Sequence, residues 1–155
     1  MLPLQNGADN AQRLRDVLPP DSVLGGLCKI VSKIESPGVI DHFTFEPEIV
    51  FGELSGQLSD RTRKIKELFD AAGFKNKLSE NIERDIWLKF LFIASISAMG
   101  ALTRSVLGVM REDAFIRSKI RETAQEILAV GRALGIDLFD ADIDRAFDMI
   151  DQGDY

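Results

Sequence analysis

A chain of 155 residues, 45% hydrophobic and 28% charged, is long enough for one domain with a core and has the balance of an ordinary soluble globular protein. Its formal charge of −6 argues against nucleic-acid binding, which needs clustered lysine and arginine in excess. With one cysteine, Cys28, and one histidine, His42, there is neither an internal disulfide nor a Cys/His metal spacing, which points to no metal and to a reducing, cytoplasmic compartment.

The opening MLPLQNGADN has no basic region leading into a long apolar run, so it does not read as a secretory leader. Its LPLQNG reads like the end of a strand running into a turn, with Asn6-Gly7 at the positive-φ position. Residues 22–54, rich in Val, Ile and Phe and broken by SPG and EPE, read as two or three strands joined by turns. The Gly25-Gly26 pair belongs to no G-x-G-x-x-G and no P-loop, so the chain carries no dinucleotide fingerprint. His42 has no His or Cys partner and reads as structural, and Cys28 reads as a core thiol.

Ser59 is placed to cap a short helix with Ile65, Leu68, Phe69 and Ala72 on one face and Gly73 at its end. A brief extended piece, FKNKLSE, leads to a long helix with Asn81 as N-cap and Glu83 and Asp85 in the first turn, where the helix dipole favours negative charge. From Ile86 to Leu102 this helix is apolar nearly all round, slightly short of the roughly 20 residues of a membrane span. It therefore reads as the buried central helix of a soluble core, with no membrane partner. A third helix is expected over 114–134, with Ile116, Ile120, Ala124, Ile127, Gly131 and Leu134 as its apolar stripe and Gly135 as its stop. A last helix near Asp142–Ile150 carries Ile143, Ala146, Phe147 and Ile150, in a stretch with seven aspartates between Asp137 and Asp154. The fold class is thus α+β: a few strands followed by a mainly helical part, the two meeting near residues 78 and 79. Strands so few in number present open edges, and self-association through edge pairing is expected.

Lys89 is the one charge inside the apolar run, and it shares a helix face with Ile93 and Ser97 at i, i+4 and i+8. One reading is structural: the side chain snorkels out of the helix end or pairs with Asp85 one turn earlier. The other is a positioned cation that hydrogen-bonds a carbonyl oxygen and supplies its proton during reduction, with partial burial and the helix N-terminus lowering its pKa. In a helical interaction module, with helices 81–104 and 114–134 forming a dimer or partner interface, Lys89 would merely snorkel.

Read together, LPLQNGADNAQRLRDVLP, VLGGLCKIVSKIESPGVIDH, IVFGEL and SENIERDIWLKFLFIASISAMGALTR resemble the ketopantoate reductase (2-dehydropantoate 2-reductase) family over nearly the whole chain. The resemblance implies residues 1–78 as the last part of a Rossmann-type NADP-binding domain and 79–155 as most of a helical C-terminal domain, of the 6-phosphogluconate dehydrogenase C-terminal-like kind. It implies an active site in the cleft between them, and a chain that begins after the family's glycine-rich loop and stops before a serine and a glutamate used to hold substrate. Lys89 matches the catalytic lysine that polarises and protonates the keto oxygen of a small 2-oxo acid while NADPH delivers hydride. Asn6 matches the asparagine that contacts cofactor and substrate. Where better-studied members carry asparagines one and two turns after the lysine, Ile93 and Ser97 stand here; Ser97 can still hydrogen-bond substrate, and Ile93 cannot. The resemblance leaves room for a homodimer. It also implies that these residues alone neither bind NADPH tightly nor catalyse reduction, since the pyrophosphate-binding turn is not among them.

Overall fold

The computed structural model describes residues 1–152, so that Asp154, the last of the seven aspartates, lies outside the described residues. The fold is α+β, and the chain divides into two compact units, Met1–Ile86 and Trp87–Tyr155. The first unit extends past residue 78 because Ile82 and Ile86 pack with Leu27 and Val50 into its core.

Residues 22–54 form four strands, more than the sequence pattern predicts: β1 (Gly25–Lys29), β2 (Ser32–Ser36), β3 (Val39–His42) and β4 (Glu48–Gly52). The extended piece after residue 74 is a fifth, β5 (Lys75–Leu78). They make two sheets. In one, β4 lies between β1, antiparallel, and β5, parallel, while β2 and β3 form a separate hairpin. The two rows differ physically: Leu27, Val50 and Phe51 of the larger sheet are buried, whereas every residue of β2 is exposed. Lys29 and Glu48, opposite one another in the ladder, make a 2.7 Å ion pair that agrees with the register.

The helix α1 (Asn10–Arg15) follows the Asn-Gly turn, which the sequence pattern did not show. Upstream of it Met1–Leu4 enters no strand ladder; the Leu24 N–H, just before β1, donates to the Met1 carbonyl at 2.9 Å, and the Met1 amino group donates to the Ser22 carbonyl. The helix α2 (Asp60–Ala71) starts as expected, with Ser59 and Thr62 in a reciprocal capping box, and ends before Gly73 at φ +75°. Its inward face is turned from the expected one: Thr62 is buried, Phe69 stacks edge-on against Phe51 at 5.4 Å, and Leu68 is 66% exposed. The positions 62, 65 and 69 recur at the helical period; Leu68 is one residue out of phase with them.

Helix α3 (Ile82–Thr103) is 22 residues long and, by length and composition, apolar enough to cross a membrane. The expectation that it is buried all round is not met: 22% of its most apolar stretch is buried inside this chain. In the second unit α3 is followed by α4 (Leu107–Glu112), α5 (Ala114–Ala133) and α6 (Asp140–Gln152). Asp113 caps α5 by accepting from the Ile116 N–H at 2.9 Å, and Gly135 at φ +82° follows its end. The buried stripe of α5 is Ile120, Ala124, Leu128 and Gly131; Ile127 is half-buried and Leu134 exposed, so the stripe steps by four where the sequence reading stepped by three. All four apolar positions expected of α6 are buried.

Candidate functional site

The start of α3 is built by its own sequence. The Ser79 hydroxyl donates to the Asp85 carboxylate at 2.5 Å while accepting the Asn81 N–H at 3.1 Å, and the Asn81 side-chain oxygen accepts the Arg84 N–H at 3.1 Å. Asp85 also stands 3.6 Å from the Lys77 ammonium. The Asp85 carboxylate is thereby engaged by Ser79 and Lys77.

Within the second unit, Trp87, Leu91, Ser95 and Met99 are buried and recur every four residues along α3. Trp87 lies against Gly131, where a Cβ would come within 3.0 Å of its ring and within 2.5 Å of Leu138. Glycine at 131 is thus a packing requirement of the helix that carries Lys89. The Ser95 hydroxyl donates to the Leu91 and Phe92 carbonyls at 2.8 and 3.0 Å, so it is spent inside the helix.

Lys89, Ile93 and Ser97 each follow a member of that stripe by two positions. Two residues turn a helix by about 200°, so this face points opposite to the buried one. Lys89 and Ile93 are half-buried and Ser97 is exposed. At a rise of about 1.5 Å per residue the three side chains leave the helix about 6 Å apart. The face therefore presents an ammonium, then an apolar surface, then a hydroxyl: a charge-stabilising donor beside a site for an apolar body.

Asn6 lies in the other unit, exposed, in the turn before α1. Asn10 holds that turn: its side-chain amide donates to the carbonyls of Gln5 and Asn6 at 3.2 Å each. Gly7, at φ +127°, takes a backbone conformation that disfavours side chains. Asn10 is a positioning residue that the sequence reading missed, and its signal was an asparagine four residues after Asn6.

Gly25 and Gly26 have a structural purpose. A Cβ on Gly25 would meet Ile82 at 2.7 Å, and one on Gly26 would meet the Pro3 carbonyl at 2.9 Å. They let α3 and the opening segment close on β1, in strand backbone rather than a phosphate-binding turn. The His42 ring nitrogen lies 2.9 Å from the Phe45 carbonyl on the exposed hairpin, consistent with a structural part, and Cys28 is half-buried in β1.

Two family models match: one described as "Ketopantoate reductase PanE/ApbA" over residues 1–56 and one as "Ketopantoate reductase PanE/ApbA C terminal" over 81–153. Among curated relatives, "Uncharacterized oxidoreductase YkpB" of Bacillus subtilis is 32% identical over 136 residues, covering 88% of this chain and 45% of the relative. A "2-dehydropantoate 2-reductase" of Mesorhizobium japonicum is 28% identical, covering 84% and 40%. The crystal structure of 2-dehydropantoate 2-reductase from Porphyromonas gingivalis W83 superposes with a TM-score of 0.86 at 26% identity, over 98% of this chain and 52% of that one. The chain spans about half the length of the relatives it matches.

Proposed function

The chain belongs to the ketopantoate reductase family, and from that premise we propose that it forms the catalytic-lysine half of a cytoplasmic oxidoreductase that reduces a short 2-oxo acid to its 2-hydroxy acid, ketopantoate to pantoate in pantothenate biosynthesis being the first candidate. The observation that carries this reading is the placement of Lys89: half-buried, on the face of α3 opposite the stripe that anchors the helix. An ammonium held there by a rigid helix meets the requirement for a donor that is in place before charge develops.

The reduction adds a hydride to the keto carbon, and a nicotinamide cofactor, NADPH in this reading, supplies it when bound. These residues contain no G-x-G-x-x-G turn for that cofactor's pyrophosphate. What this chain contributes is the proton. As negative charge collects on the keto oxygen, the Lys89 Nζ–H donates a hydrogen bond to it, then transfers the proton to give the alcohol; the neutral amine regains a proton from solvent. Asn6 offers an amide hydrogen bond to cofactor or substrate, from a turn fixed by Asn10. Ser97 offers a hydroxyl two turns beyond Lys89, and Ile93 between them gives the substrate body an apolar contact.

The test is Lys89→Ala in a reductase of the relatives' full length that carries these residues. Loss of one such donor lowers turnover by about 10²–10³-fold, with NADPH affinity nearly unchanged. Normal turnover in that variant would remove the assignment.

A further inference from the structure

The chain has four asparagines, and Asn6 alone is followed by glycine. Asn10, Asn76 and Asn81 precede Ala11, Lys77 and Ile82, whose Cβ atoms crowd the adjoining backbone nitrogen. Asn10 and Asn76 lie in α1 and β5 and Asn81 caps α3, so their backbones are held by regular structure, whereas Asn6 is exposed in a turn.

The backbone nitrogen after an asparagine stands one five-membered ring away from the side-chain Cγ. Attack on that carbon needs a nitrogen that is uncrowded and stripped of its proton. Gly7 meets the first condition: it has no Cβ, and its φ of +127° belongs to a turn that disfavours one. Asn10 favours the second. When the Gly7 N–H loses its proton, the negative charge is shared through amide resonance with the oxygen of the same peptide, the Asn6 carbonyl. That oxygen is the one to which the Asn10 Nδ2 donates at 3.2 Å. The same amide donates to the Gln5 carbonyl at 3.2 Å, which keeps it in place, and a Cβ on Gly7 would fall 3.1 Å from the Asn10 Nδ2.

We propose that Asn6 is a site of spontaneous modification, an asparagine that the turn converts to aspartate and isoaspartate, with Asn10 as the donor that promotes the step. The deprotonated Gly7 nitrogen attacks the Asn6 Cγ and forms a C–N bond; the side-chain nitrogen takes a proton from solvent and leaves as ammonia, closing a succinimide. Water then opens the ring at either carbonyl, to aspartate or to isoaspartate, in which the main chain runs through Cγ. The balance is water consumed and ammonia released, without oxidation or reduction. Both products carry a carboxylate where Asn6 carried a neutral amide. The consequence rests on the proposed role of Asn6 beside a 2-oxo acid: there the new charge repels the substrate's own carboxylate, and activity falls as the protein ages.

The test incubates the 155-residue chain in mildly alkaline buffer and reads its proteolytic peptides by mass spectrometry, with isoaspartate detected by enzymatic methylation. The peptide that holds Asn6 gains about 1 Da as amide becomes acid, fragment spectra place the gain at Asn6 rather than Asn10, and the peptides of Asn76 and Asn81 keep their mass. Asn10→Asp and Asn10→Leu share the loss of the N–H donors, and each slows the gain at Asn6 about three- to tenfold. Far-UV circular dichroism verifies that both variants are folded. No gain at Asn6, a gain spread equally over the four asparagines, or an unchanged or faster rate in either Asn10 variant overturns the proposal. In a reductase of the relatives' full length that carries these residues, Asn6→Asp raises the KM for the 2-oxo acid about tenfold or more. A wild-type KM there, with Asn6 modified in the incubated chain, removes Asn6 from the proposed active site and leaves the modification standing.

Discussion

Replacing Gly52 by alanine adds one methyl group at the point where β4 meets the approach to α3. A Cβ at 52 would sit closer than 3.0 Å to the Ser79 carbonyl oxygen and 3.5 Å from the Ile82 Cβ. That carbonyl cannot swing aside as a side chain would: Ser79 is buried, and its N–H donates to the Phe51 carbonyl at 2.8 Å. The strand and the residue 79 backbone must separate by roughly half an ångström or more, an overpacking that costs about 1–3 kcal/mol. The lost backbone freedom of glycine in the unfolded chain returns about 0.4–1 kcal/mol, leaving a net loss of about 1–2 kcal/mol. For a chain of this size that corresponds to a fall in Tm of about 3–6 °C. Gly108→Ala is the matched control: nothing lies within 4 Å of its added methyl, and it sits in α4, so its effect is neutral to stabilising by up to about 1 kcal/mol. Urea and thermal unfolding followed by far-UV circular dichroism measure both. A Gly52→Ala chain with the wild-type midpoint, or one more stable than Gly108→Ala, would refute the reasoning.

Two more outcomes are expected. The Arg61 guanidinium, bonded to Glu53 at 2.7 and 2.5 Å, and then the Ser59 hydroxyl hold the Glu53 carboxyl below its ordinary pKa. A depressed carboxyl stabilises the fold at pH values above its unfolded pKa and loses that contribution as pH falls through the folded one. Glu53→Gln should therefore cost about 1–2 kcal/mol at pH 7, discounted for the exposure of Arg61, with the gap to wild type closing below about pH 4; an equal gap at pH 7 and pH 3 would contradict this. Ile93 gives the Lys89 face an apolar step, so a full-length reductase carrying it should favour ketopantoate over 2-oxoisovalerate only weakly in kcat/KM. Ile93→Asn should shift that ratio about tenfold towards ketopantoate, and a strong preference for ketopantoate with Ile93 in place would remove the idea.

Local signals were legible in the residues themselves. Ser59 and Asn81 are caps because a short polar side chain reaches the N–H groups of the following turn, and no distant contact is needed. The extents of α5 and α6 and the positive-φ glycines at 73 and 135 follow from the same short-range chemistry. The α3 face shared by Lys89, Ile93 and Ser97 is likewise a matter of helical period, and the family likeness is carried by words in the sequence. What tertiary structure decided is which face of each element meets another. Sequence makes α3 apolar all round and so contains no preference; the Trp87–Gly131 contact selects the stripe through Leu91, Ser95 and Met99, and leaves Lys89 on the opposite side. Leu68 and Leu134 are as hydrophobic as Phe69 and Leu128, yet lie outside the buried stripes by a fraction of a turn. The separation of β2 and β3 from the main sheet was hidden for the same reason: strand propensity is local, while the partner of a strand is set by groups tens of residues away.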